Sequence, residues 1–152
     1  MRSLVLLRLT LATALAFAVV ATTACSKQAL AKPLPGGVFN KLFPKAQAGY
    51  DVVFTQEKEG FAQAALKKAG SEVAMLSISD VVGNGDATAK FAQSAEKIAD
   101  QPAVANGSQG TAILVANRFQ VQVRSKADSF TADDRKAWIE RFSLGDLKAL
   151  AP

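Results

Sequence analysis

The chain has 152 residues, with 18 Lys or Arg against 13 Asp or Glu, a formal net charge of +5, 49% apolar residues and 20% charged residues. It contains no His and one Cys, which excludes Ser-His-Asp and Cys-His catalysis, His-based zinc or haem ligation, a Cys cluster for metal and an intrachain disulfide. The balance of apolar to charged residues is that of a folded chain rather than a disordered one, and the length is that of one domain.

The first predicted element is a sorting signal over residues 1–24. Arg2 and Arg8 give a positive start, an apolar run begins at Leu9, and the run closes on the small residues Ala21-Thr22-Thr23-Ala24 before Cys25. That is the three-part pattern of a secretory signal peptide, and the 16 residues from Leu9 to Ala24 are short for a helix that spans a bilayer. Thr22-Thr23-Ala24-Cys25 resembles the lipobox of bacterial lipoprotein precursors, with Thr22 standing where that family more often has Leu. The resemblance covers the first 25 residues. It implies that the Cys25 thiol takes a diacylglyceryl group, that cleavage falls before Cys25, and that the new amine is acylated with a fatty acid such as palmitate. Several acyl chains hold a protein firmly to a membrane, whereas one binds marginally. Ser26 after the cysteine implies, by the same resemblance, an outer-membrane lipoprotein facing the periplasm. Cleavage there removes Arg2 and Arg8 and leaves 16 basic against 13 acidic residues. An excess so small and so dispersed argues against a nucleic-acid partner.

Residues 25–37 read as the lipidated N-terminus and a flexible tether, because two Pro and two Gly crowd into Pro33-Leu-Pro-Gly-Gly37. A single ectodomain is expected over 38–152. Val38, Phe39, Leu42 and Phe43 have helical spacing, and Pro44 ends a short cap over one end of the core. Strands are expected at 51–57, 61–67 and 73–82, with turns at Lys58-Glu-Gly60 and Lys68-Ala-Gly70-Ser71. A helix is expected from Ala87 to about Ala99, capped by Asp86, with Ala87, Phe91, Ala95 and Ile98 on one face. Further strands are expected at 102–105, 111–116 and 119–125, the second pair joined at Asn117-Arg118. Thr131-Ala-Asp-Asp134 then starts a second helix in the manner of a capping box. Two successive strands-then-helix units suggest a duplication, with Gly60-Phe-Ala laid on Gly110-Thr-Ala. The expected fold is α+β: an antiparallel sheet of about five or six strands with two main helices.

Four groups invite chemistry. Ser94-Ala-Glu-Lys97 matches Ser-x-x-Lys, which on a helix sets a lysine beside a nucleophilic serine, but Lys-Thr-Gly and Ser-Asp-Asn companions are absent. Asp80, Asn84 and Asp86 offer oxygens in a Gly-rich loop without the alternate-position ligands of a calcium site. Glu57 and Glu59 flank an exposed turn, where nothing would tune a carboxyl. Gln120, Gln122, Arg124 and Lys126 form a polar, basic row along one strand face, with Lys67, Lys68 and Arg118 adding charge at turns. This row is the candidate binding face, for an acidic partner or phosphate headgroups. No catalytic residue, metal or cofactor is assigned. The function expected is a membrane-anchored envelope lipoprotein, a non-enzymatic binding or assembly module with an envelope protein as partner. An inhibitor of an envelope enzyme, using the loops 83–86 or 106–110, or a small hydrolase, is the alternative.

Overall fold

The computed structural model describes residues 31–47 and 49–152, so the expected sorting signal, Cys25 and the first half of the expected tether lie outside the described residues. Seven strands form one sheet: β1 (Tyr50–Lys58), β2 (Phe61–Lys68), β3 (Ser71–Asp80), β4 (Lys97–Ile98), β5 (Gln101–Ala105), β6 (Gly110–Val115) and β7 (Phe119–Ser125). Their order is β1-β2-β3-β7-β6-β5-β4 and every pairing is antiparallel. The α+β class holds, with seven strands rather than five or six; the added one, β4, is two residues long.

Strand alternation sorts the two faces. Ala64, Leu66, Leu76, Ile78, Val121 and Val123 point to one side and are fully buried. That side is covered by a 3-10 helix (Gly36–Leu42), by α2 (Ala132–Ile139) and by α3 (Leu144–Ala149). Phe39 and Leu42 from the 3-10 helix, Trp138 and Ile139 from α2, and Leu147 from α3 fill the layer. The Ser143 N–H donates to the Leu42 carbonyl at 3.0 Å and ties the two ends of this cover together. Thr131 and Asp134 make the full capping box expected of them. The buried Arg135 of α2 donates to Thr111 Oγ1 at 2.9 Å and Ser125 Oγ at 2.8 Å, so the helix is bolted to β6 and β7 by a guanidinium.

The helix expected over 87–99 is the main departure. Helix α1 covers Gly85–Ala89 alone, and its cap is Asn84, whose Oδ1 accepts the Ala87 N–H, rather than Asp86. The reason is tertiary. Phe91 is buried with Ala112 and Leu114 on one face of the sheet, whereas Ile98 is buried with the main cluster on the other. A continuous helix would carry both residues on one stripe. The chain therefore unwinds and wraps around the sheet edge; Ala95 is left exposed, and Ser94 Oγ is spent on the Ala103 carbonyl. Local propensity is a weak prior against such packing demands.

The repeat also resolves differently at the level of residues. The meanders β1-β2-β3 and β5-β6-β7 do meet at β3 and β7. Yet Ala62 is buried in the main cluster and Ala112 in the small cluster on the opposite face, so the aligned Gly-x-Ala positions are not equivalent. Finally, part of the expected tether is docked. The Gly60 N–H donates to the Leu34 carbonyl at 2.7 Å, and Gly36 is buried in the 3-10 helix.

Candidate functional site

The candidate row lies on β7 and just beyond it. Gln120, Gln122 and Arg124 alternate with the buried Val121 and Val123, and so share the face away from α2 and α3. Gln120 and Gln122 are half-buried, Arg124 and Lys126 exposed. Gln122 Oε1 accepts from Asn106 Nδ2 at 2.9 Å and from Gln120 Nε2 at 3.2 Å, which fixes the amides in a line. Across β3 the register sets Ser79 opposite Gln120 and Ser77 opposite Gln122. The result is a polar face of amides and hydroxyls with Arg124 at one end, suited to hydrogen bonding.

The charges expected to reinforce this row are placed elsewhere. Lys67 faces Asp51 on one neighbour and Glu72 on the other in the strand register, so its charge is locally balanced. Lys68 sits over the Tyr50 ring at 5.1 Å. Arg118 is not a surface turn residue. Its Nε and Nη2 reach Asp80 Oδ1 and Oδ2 at 3.0 and 2.8 Å, and its Nη2 also donates to the Lys32 carbonyl at 3.1 Å. Side-chain exposure is 10% for Arg118 and 0% for Asp80. The hydrogen bonds that Arg118 donates to Asp80, aided by the carboxylate charge, push the Arg118 guanidinium further above its ordinary value despite burial. Asp80 also accepts the Leu34 N–H at 2.9 Å and the Val82 N–H at 3.2 Å. The pair therefore latches the strap 32–34 to the end of the sheet and stops β3 at Asp80.

That latch disposes of the loop as a convergent oxygen cluster, since Asp80 and Asn84 are committed to internal donors. Ser94 and Lys97 no longer share a helix face, because Lys97 lies in β4. Glu57 accepts from Asn40 Nδ2 at 2.7 Å beside the 3-10 helix, while Glu59 stays in its turn. Of the other displaced ionisable groups, Lys90 is lowered by burial alone, and two have structural partners. Asp134 is held below its ordinary carboxyl value by the Thr131 N–H, and Lys136 is raised by Glu96, 2.7 Å away on the surface.

A second surface was not expected from the sequence. Strand β1 is the last strand of the sheet, and Val53 and Phe54 on it are 42% and 47% exposed. Phe54 packs edge-on to Phe43 at 5.2 Å between ring centres. Phe43, Pro44, Val52 and Phe54, with Asn40, Lys41, Lys45 and Ala46, line a groove of about 500 Å³. A neighbouring depression of about 280 Å³ adds Arg141 and shares Lys41 and Lys45. The signal in the sequence was the pair Lys41 and Lys45 bracketing an aromatic-proline step; the run Val52-Val-Phe54 reads as buried strand unless the strand is known to be an edge.

Compared with protein-family models, with curated proteins and with solved structures, the chain matches none of them.

Proposed function

We propose that the protein is a lipid-anchored envelope protein whose ectodomain is a non-enzymatic binding or assembly module. The anchor rests on Thr22-Thr23-Ala24-Cys25 after a charged and apolar leader. The single observation that carries the binding role is the exposed edge strand β1, with Phe54 open to solvent at a groove and Val53 open to solvent on the other face of the strand. An edge strand of this kind is a template for pairing, and natural sheets usually blunt it. The ordered Gln120 and Gln122 row supplies a second, polar surface, on the opposite face of the sheet and separated from β1 by β2 and β3. The displaced ionisable groups have local causes: ion pairing for Arg118, capping for Asp134, surface pairing for Lys136 and partial burial for Lys90.

The test is crosslinking in cells of the C-terminally tagged protein beside its Cys25→Ala form. One dominant protein partner, lost with the anchor, is the expected result. Absence of a partner with both forms overturns the module reading.

A further inference from the structure

The groove and the edge of β1 together specify a partner, and this step rests on the binding-module reading above. Tyr50 exchanges both backbone hydrogen bonds with Gln47 on the outer side of β1, at 2.8 and 3.1 Å. In an antiparallel strand the N–H and C=O of one residue point the same way and alternate along the chain. The backbone groups of Val52 and Phe54 therefore also point outward, away from β2. Among the described residues no strand pairs with β1 on that side. The side chains of the same two residues line the groove, so a ladder of hydrogen bonds and an apolar slot run side by side over 52–54. The protective devices of β1 flank this stretch rather than interrupt it: Asp51 stands before it, and a bulge between Phe54 and Gln56 and the charged Glu57 and Lys58 follow it.

Charge decides what fits. Lys41, Lys45 and Arg141 rim the two depressions, all are exposed, and none is in an ion pair among the described residues. We infer that β1 receives an extended, acidic and apolar peptide segment of a partner protein, which adds a strand outside Val52–Phe54, seats an apolar side chain against Phe43 and Phe54, and sets carboxylates on Lys41 and Lys45. Strand addition of this sort takes affinity from main-chain hydrogen bonds and specificity from pockets for alternate side chains. A bilayer would use the cations but not the outward backbone groups. A second copy of β1 would use the backbone groups but would bring Asp51, Glu57 and Lys58 together rather than a run of acids.

The experiment uses the full mature protein in detergent micelles and a fluorescent probe, the peptide Glu-Val-Glu-Phe-Glu-Val-Glu-Val, read by anisotropy. Two control peptides replace Glu by Lys or carry N-methyl groups on alternate amides. The expected result is saturable binding of the acidic peptide, weakened about tenfold or more by either control, by Phe54→Asp and by Lys45→Glu. Both substituted positions are exposed, and an unchanged melting temperature keeps the comparison valid. No saturable binding, or binding indifferent to N-methylation and to Phe54→Asp, overturns the inference. So does a reversible dimer abolished by Phe54→Asp, which would assign the edge to a second copy. Displacement of the probe by phosphatidylglycerol nanodiscs, with Phe54→Asp still binding them, would assign the cations to a membrane and also overturn it. A partner captured in cells equally well by Phe54→Asp would leave the module reading standing while removing this surface from it.

Discussion

Asp80→Asn removes one charge from a pair that is almost wholly out of water, and the consequence can be worked from its contacts. Asp80 accepts four hydrogen bonds: two from Arg118, one from Leu34 and one from Val82. Breaking a buried pair from one side leaves an uncompensated charge and costs about 3–5 kcal/mol, most of it the penalty of the orphaned guanidinium. For a domain of this size that is on the order of 10–25 °C in melting temperature. Replacing both partners, as Asp80→Leu with Arg118→Met, removes the orphaned charge, so the double variant should lose much less than the sum of the single losses. The chain has one Trp, and Trp138 is buried against Tyr50 at 5.1 Å, so its fluorescence in urea reports the ectodomain directly. A loss below about 1 kcal/mol for Asp80→Asn, or strictly additive losses in the cycle, would refute the claim that this pair is a buried latch. Limited proteolysis adds a local readout, because the same substitution frees Leu34 and should expose residues 31–35 to cleavage before the sheet unfolds.

The remaining predictions concern the turns, the strap and the helix cap. Gly36→Ala puts a Cβ into the carbonyl oxygens of Phe61 and Lys58, and the urea midpoint should fall by the equivalent of about 1–3 kcal/mol; a wild-type midpoint would mean the 3-10 helix does not dock there. Ala69 sits in an exposed hairpin turn with φ of +48° beside Gly70, so Ala69→Asn should raise stability by about 0.5–1 kcal/mol by differential scanning calorimetry. Thr131→Ala removes the N-cap of α2 and should cost about 1 kcal/mol at neutral pH. The Asp134 carboxyl is held below its ordinary 3.8 in the native state, so the native state binds fewer protons than the unfolded one, and this stabilisation is full above that value. It fades as the pH falls through the depressed native value. The gap between wild type and Asp134→Ala, which removes the ionisable group itself, should therefore narrow in urea melts as the pH falls below 3.8, and a gap constant with pH would refute the assignment.

What the sequence made legible follows from what each side chain had to do locally. Strand β7 was plain, because Phe119, Val121 and Val123 alternate with Gln120, Gln122 and Arg124 and the strand is half-buried as alternation implies. The capping box at Thr131 is a local hydrogen-bond pattern and needs no tertiary context. Helix α1 was overestimated because the stripe Ala87, Phe91, Ala95, Ile98 cannot tell one core from two, and Phe91 and Ile98 serve clusters on opposite faces. The Arg118 and Asp80 pair was hidden for a related reason. Each residue alone reads as a turn charge, and only the fold brings positions 38 apart in the chain into contact. The docked half of the tether was missed because Pro33 and Pro35 do stop regular structure, yet an extended strap with its polar groups bonded to Gly60, Asp80 and Arg118 is ordered without it. The polar row was found, but the groove beside β1 was not, since its exposure depends on β1 being last in the sheet.

The central claim, a binding module held to a membrane by Cys25, is tested most directly by the intact mass and N-terminal peptide of the protein extracted from its own cells in detergent. The account predicts a mature chain that begins at Cys25 and carries diacylglyceryl and N-acyl groups, with Cys25→Ala remaining uncleaved or unlipidated. An unmodified Cys25 thiol, or a mature N-terminus at another residue, would contradict it.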